Sequence, residues 1–210
     1  MDLEKFSTGG LWVPAQEQDS DWLLVAVHGS GGSAKDFEGL EDVFGIPSLN
    51  YLYLNGPIPD YSGYRWYSDL GPRTAAYEAL RSALDVCIAE GYPPTHIILM
   101  GFSQGAALSI EFGVRYSHLL GGYIAISGRV ENLPGLFSQG DPEIINRGRF
   151  LITHGTRDYN LSIELIRQQV ERMREGGLSI DFREFDKIHE FESTQELPYI
   201  RNWILSRITS

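Results

Sequence analysis

The stretch Ile97-Ile98-Leu99-Met100-Gly101-Phe102-Ser103-Gln104-Gly105-Ala106-Ala107-Leu108-Ser109-Ile110 decides the fold. Its first four residues form a short, continuously apolar run, as a strand covered on both faces requires. From Gln104 onward small and apolar residues suit the start of a helix. Gly101 and Gly105 flank Ser103 where a Cβ would crowd a sharp strand-to-helix turn, the G-x-S-x-G arrangement that pushes a serine hydroxyl outward. The pattern alone is weak in a chain with 23 glycines. The strand before it and the helix after it give it weight. A helix N-terminus at Gln104 also directs partial positive charge toward negative charge developing at the serine.

Working outward, further apolar segments recur at Trp22 to Val27, Tyr51 to Leu54, Gly122 to Ile126 and Phe150 to Thr153, with an alternating segment at Ile180 to Phe185. Between them lie segments of helical period, clearest at Ala75 to Glu90, Gln104 to Tyr116 and Leu161 to Glu175, the last closed by Gly176-Gly177. Alternating strands and helices predict an α/β fold with a mostly parallel central sheet and helices on both faces. Reactive residues are then expected beyond the carboxyl ends of the strands. Two stretches read as irregular loops able to wall a site: Asn55 to Arg73, with Trp66 and Tyr67, and Gly128 to Gly148.

A serine hydroxyl needs an imidazole to take its proton and a carboxylate to orient that imidazole. In this topology they follow in the order serine, acid, histidine. Of the five histidines only His189 comes late enough, just past Ile180 to Phe185. Asp158 follows the strand Phe150 to Thr153 and is the favoured acid. Asp141 and Glu143, in the irregular segment before that strand, are its rivals; Asp186 and Glu190 read as surface charges. For the oxyanion, the loop His28-Gly29-Ser30-Gly31-Gly32 follows the strand Trp22 to Val27, so the Ser30 backbone N–H is one expected donor. The N–H of Gln104, the residue after the nucleophile, is the other.

Length and composition bound the remainder. A chain of 210 residues, 42% hydrophobic and 21% charged, fits one packed domain spanning 1–210. A net charge of −11 opposes a phosphate backbone and an anionic membrane surface, so nucleic acid is not an expected partner. No run of eighteen apolar residues suggests stable membrane insertion, and the opening MDLEKFSTGG lacks a basic stretch followed by an apolar one; the chain reads as cytoplasmic. The single cysteine, Cys87, falls on the apolar stripe with Leu80, Leu84 and Ile88 and reads as an inert core thiol. The glycines at 29 to 32 lack the G-x-x-x-x-G-K-[ST] spacing of a phosphate loop. His28 and His154 lack metal-ligand spacing and read as hydrogen-bonded structural residues at strand ends.

These segments together resemble the phospholipase/carboxylesterase family of α/β-hydrolases, to which acyl-protein thioesterases belong. The resemblance rests on His28 to Gly32, Gly101 to Gly105, His154-Gly155-Thr156-Arg157-Asp158 and His189-Glu190, and runs from about Trp22 to Trp203. It implies an α/β-hydrolase fold without a large cap domain, and a carboxylesterase or thioesterase that uses no metal or cofactor on a small-molecule or acylated substrate. Arg65-Trp66-Tyr67-Ser68-Asp69 is similar to a segment that lies near the acyl pocket in this family, which implies that Trp66 and Tyr67 line the acyl side. Two departures stand out. Asp158 is followed by Tyr159-Asn160-Leu161-Ser162 rather than Pro-Val-Val-Pro, and the turn before His189 is Asp186-Lys187-Ile188 rather than Gly-rich. Short and long acyl groups therefore both stay open. So do two other functions of the same residues: a ligand-binding receptor with a slow triad, and an amidase or peptidase.

Overall fold

The structure is a computed structural model that describes residues 1–68 and 71–209. The strands are β1 (Gly10–Val13), β2 (Trp22–Val27), β3 (Leu49–Leu54), β4 (Ile58–Pro59), β5 (Tyr64–Arg65), β6 (Ile97–Phe102), β7 (Gly122–Ile126), β8 (Arg149–Gly155) and β9 (Ser179–Phe185). The helices are α1 (Leu40–Phe44), α2 (Thr74–Ala89), α3 (Gln104–Gly113), α4 (Leu133–Ser138), α5 (Pro142–Arg147), α6 (Ile163–Glu175) and α7 (Glu196–Ile208). Seven strands form one sheet in the order β1-β3-β2-β6-β7-β8-β9. Only β1 runs antiparallel to its neighbour; the other pairings in the sheet are parallel.

The near-continuous apolar strands follow from burial on both faces. In β2, Leu23, Val25 and Val27 point into one core and Leu24 and Ala26 into the other. The first core is covered by α2, α3 and α6, through Leu80, Leu84 and Cys87 of α2 and Ile166, Val170 and Met173 of α6. The second is covered by α1 and α7, through Leu40 and Phe44, and Leu197, Ile200 and Ile204. Each set repeats at three- or four-residue intervals, so it forms one stripe per helix. Full burial of each such leucine or isoleucine contributes about 1.5–3 kcal/mol. Helix α3 is buried from Gly105 to Gly113, and this central position holds the turn before it firmly in place.

Sheet order reverses around β2, which lies between β3 and β6. The loop after β2 and the turn after β6 therefore open into one crevice at the carboxyl edge, as such switch points do.

The two stretches read as loops are more ordered than their sequence suggests. Within 55–73, β4 and β5 form a small hairpin. It is tied to the loop after β2 by Gly31 N–H to Tyr64 O at 2.8 Å and Tyr64 N–H to Gly32 O at 2.7 Å. Within 128–148 lie α4 and α5, each with a side-chain cap: Asn132 accepts from Gly135 N and Asp141 from Glu143 N, with Pro142 in the first turn of α5. No helix among the described residues is long and apolar enough to cross a membrane.

Candidate active site

Ser103 sits between β6 and α3 with φ 52° and ψ −111°, a conformation that costs a non-glycine residue about 1–3 kcal/mol. The surroundings enforce it. Its N–H donates to Ile126 O at 2.9 Å on β7, and its C=O accepts from Ala106 N at 3.1 Å. The flanking glycines are required by close approach: a Cβ on Gly101 would lie 2.1 Å from Gly105 O, and one on Gly105 2.1 Å from Val27 O. Removing those two Cβ atoms lets β6, α3 and the end of β2 meet backbone to backbone.

His189 Nε2 stands 2.9 Å from Ser103 Oγ, and His189 Nδ1 stands 2.7 Å from Asp158 Oδ2. The imidazole packs on Phe102, ring centroids 5.2 Å apart. The Asp158 side chain is fully buried. Its second oxygen accepts from Asn160 N at 2.9 Å and Leu161 N at 3.0 Å. Burial works to raise the Asp158 pKa, but the His189 hydrogen bond and the Leu161 and Asn160 N–H groups outweigh it and hold the carboxyl below its ordinary value. A carboxylate held ionised in this way fixes His189 with Nδ1–H toward Asp158 and Nε2 free to accept a proton from the serine.

The rival acids lie elsewhere. Asp141 caps α5, Glu143 pairs with Arg147 at 2.5 Å, and Asp186, largely exposed, pairs with Arg157 at 2.5 Å. Glu190 is exposed. His28 and His154 are structural, as their positions at strand ends suggest. His28 Nε2 accepts from Gly56 N at 3.0 Å, so its Nδ1–H donates to Gly29 O at 2.6 Å; burial keeps its pKa low. His154 Nε2 donates to Leu161 O at 2.8 Å and lies 3.4 Å from Asp158 Oδ2, its pKa also lowered by burial. Cys87 is wholly buried, and burial pushes its thiol up to about 12. No group of three or more His, Cys, Asp or Glu side chains able to hold a metal ion occurs among the described residues.

A cleft of about 250 Å³ opens over Ser103, lined by Ser30, Tyr67, Gln104, Arg129, Glu131 and Asn160 among others. Ser30 and Gln104, the two residues expected to supply oxyanion donors, both line this cleft. Gln104 is the first residue of α3, so its N–H has no partner within the helix. His189 also lines a second recess of about 260 Å³, together with Gly29, Asp36, Phe37, Phe102, Glu190 and Phe191.

Of the two aromatics expected on the acyl side, Tyr67 lines the cleft but Trp66 does not. Trp66 is 1% exposed and stands behind the site, its Nε1–H donating to His28 O at 3.0 Å. An indole is large enough to fill that space and needs an acceptor for its N–H, which the loop after β2 supplies. Asp69, the last residue of that segment, lies outside the described residues. The part played by the Gln104 side chain leaves no signal along the chain: its Oε1 accepts from Trp66 N at 2.8 Å and its Nε2 donates to Tyr67 O at 2.9 Å. Behind Tyr67, Arg73 stacks over the ring at 4.2 Å and pairs with buried Glu111, whose other oxygen accepts from Glu131 N at 2.8 Å. The Arg129–Glu131 pair, 2.8 Å apart, completes a charged wall. Nothing short of the folded chain brings residues 66, 104, 111 and 129 together.

A mostly parallel sheet carrying a serine on a strained turn after a central strand defines the α/β-hydrolase class. The family model for phospholipase/carboxylesterase matches residues 10–207, and the chain belongs to that family of carboxylic ester hydrolases. It is similar to carboxylesterase SOBER1 of Arabidopsis thaliana, 31% identical over 190 residues covering 90% of this chain and 78% of that protein. It is also similar to acyl-protein thioesterase 1 of Debaryomyces hansenii, 25% identical over 91% of this chain and 94% of the other. Among solved structures, the Arabidopsis SOBER1 crystal structure superposes with a TM-score of 0.79 at 24% identity, covering 89% of this chain and 99% of that one. The Bacillus cereus carboxylesterase gives 0.78 at 16% identity, covering 94% and 93%.

Proposed function

We propose that this protein hydrolyses small carboxylic ester or thioester bonds through a Ser103–His189–Asp158 triad and an acyl-enzyme. The observation that carries the reading is the hydrogen-bond chain from Ser103 Oγ through His189 to a buried carboxylate, at 2.9 and 2.7 Å, on a turn whose strain exposes the hydroxyl. Ser103 Oγ attacks the carbonyl carbon while His189 Nε2 takes its proton. The Ser30 and Gln104 N–H groups receive the oxyanion, each donor contributing about 3 kcal/mol. Collapse of the tetrahedral adduct expels the alcohol or thiol with the proton from His189, and leaves the acyl group on Ser103. Water then attacks with His189 again as base, and the acid departs.

The leaving atom must lie against His189 Nε2, so the leaving group departs on the His189 side, where the Phe37, Phe102 and Phe191 recess begins. The acyl group occupies the cleft with the oxyanion donors. A volume of about 250 Å³ and the Arg129–Glu131 wall suit short acyl groups better than long alkyl chains.

The test is kcat/KM on p-nitrophenyl esters with acyl chains from two to sixteen carbons, with an acyl thioester alongside, for wild type and Ser103→Ala. The expected result is an optimum among short chains and no turnover by the variant. Turnover that survives Ser103→Ala would remove the nucleophile, an optimum at long chains would remove the size assignment, and saturable binding without any turnover would favour a receptor.

A further inference from the structure

The turn Asp186-Lys187-Ile188, one of the chain's departures from its family's pattern, holds a buried cation. Lys187 is 1% exposed, and its Nζ donates to Glu196 Oε2 at 2.7 Å and to Glu190 O at 2.9 Å, with Glu196 Oε1 at 2.6 Å. Glu196 is itself fully buried at the start of α7, and its Oε2 also accepts from Glu192 N at 3.0 Å. Lys187 is anchored at its other end as well: its backbone O accepts from Arg157 N at 3.1 Å, in the turn that carries Asp158. Gly155 makes that approach possible, since a Cβ there would lie 2.4 Å from Lys187 O.

His189 thus sits inside a staple. The backbone of residue 187 is fixed to the acid's turn, and the side chain of residue 187 reaches past His189 to hold the carbonyl of residue 190 and the first turn of α7. Resting on the hydrolase reading above, we infer that Lys187 is a positioning residue for the catalytic base. Its ammonium, paired with Glu196, fixes the 187–190 segment so that Nε2 faces Ser103 and Nδ1 faces Asp158. Stability alone is a poor reason for the pair, because a buried ion pair can often be replaced by apolar side chains of similar volume without loss. A flexible turn, by contrast, would let the imidazole move, and a displacement of about 1 Å at a reacting group can lower turnover on the order of a hundredfold.

Two variants separate positioning from structure. Lys187→Met with Glu196→Met replaces the pair by apolar chains. It is expected to melt within a few degrees of wild type while kcat on a short p-nitrophenyl ester falls at least about tenfold and KM stays within about twofold. Glu196→Gln keeps an oxygen acceptor for Nζ and leaves the hold on Glu190 O, but removes the counter-charge. It is expected to melt lower than the double variant yet to retain a higher kcat. The downfield proton resonance expected from the 2.7 Å His189–Asp158 hydrogen bond in wild type should broaden or vanish in the double variant only.

A double variant with kcat near wild type and an unchanged resonance would overturn the inference. So would kcat that follows melting temperature across both variants, because the pair would then serve the fold alone. If the double variant does not fold, Glu196→Gln still decides: loss of both kcat and the resonance in proportion to stability counts against positioning. Absence of Ser103-dependent turnover in wild type would strike the hydrolase reading instead, and the resonance would still test the staple.

Discussion

Gly105→Ala adds one methyl group at the point where helix α3 meets the end of β2. The new Cβ would lie 2.1 Å from Val27 O and 2.7 Å from His28 O, against an ordinary separation of about 3.5 Å. The two backbones must therefore part by roughly 1.4 Å. They are the backbones that carry the proposed oxyanion donors, for Gln104 precedes Gly105 and Ser30 follows His28 by two residues. Loss of effective contact from one donor costs about 2.7–4 kcal/mol in the transition state, or roughly a hundredfold or more in kcat. Stability should fall less, since overpacking costs about 1–3 kcal/mol and alanine recovers about 0.5–1 kcal/mol of helix propensity. The assay is kcat and KM on p-nitrophenyl acetate beside a thermal melt. The expected outcome is a kcat about a hundredfold lower in a protein that still unfolds cooperatively. A kcat within threefold of wild type would refute the argument that this close approach sets the oxyanion geometry.

Three other expectations follow from particular contacts. Asp158→Ala should reduce kcat by about 10⁴, whereas Asp141→Ala should leave kcat near wild type and cost about 1 kcal/mol in a melt, because Asp141 caps α5; the opposite ranking would move the acid. Gln104→Ala keeps the backbone donor but orphans Trp66 N–H, at a cost of about 1–3 kcal/mol, and frees Tyr67 at the cleft wall. KM should rise more than kcat falls, and an unchanged KM would show that the clamp does not shape the cleft. With its thiol pushed up to about 12, Cys87 holds only about one part in 10⁴ thiolate at pH 8. The fraction rises with pH, so iodoacetamide should leave the native protein unlabelled and active at that pH and label it fully in denaturant; rapid native labelling with loss of activity would contradict the burial.

The parts legible in the sequence are those that depend on neighbours along the chain. Ile97 to Ile110 announces strand, turn and helix because burial on both faces makes the strand continuously apolar and close approach requires the two glycines. His189 is found by order alone, being the one histidine past the last strand. Segments 55–73 and 128–148 misled because a two-residue hairpin and six-residue helices are too short to show a period; their signals are caps such as Asn132 and Asp141. Strand β1 is four half-buried residues at the sheet edge and leaves an equally faint trace. Trp66 could not be placed, because the acceptor that draws it behind the site, His28 O, is 38 residues away. The Gln104 clamp and the Lys187–Glu196 pair are likewise meetings of side chains on separate elements, where residue type alone suggests only side chains in contact with water.

The most direct test of the proposed chemistry is to trap the acyl-enzyme. Acid-quenching the protein during turnover of a short p-nitrophenyl ester, then mapping tryptic peptides by mass spectrometry, should place one acyl group per chain on Ser103, within residues 82–115. Ser103→Ala should carry none, and His189→Ala should acylate far more slowly. Sustained turnover with an acyl group on another residue, or equal turnover after Ser103→Ala, would show that Ser103 is not the nucleophile.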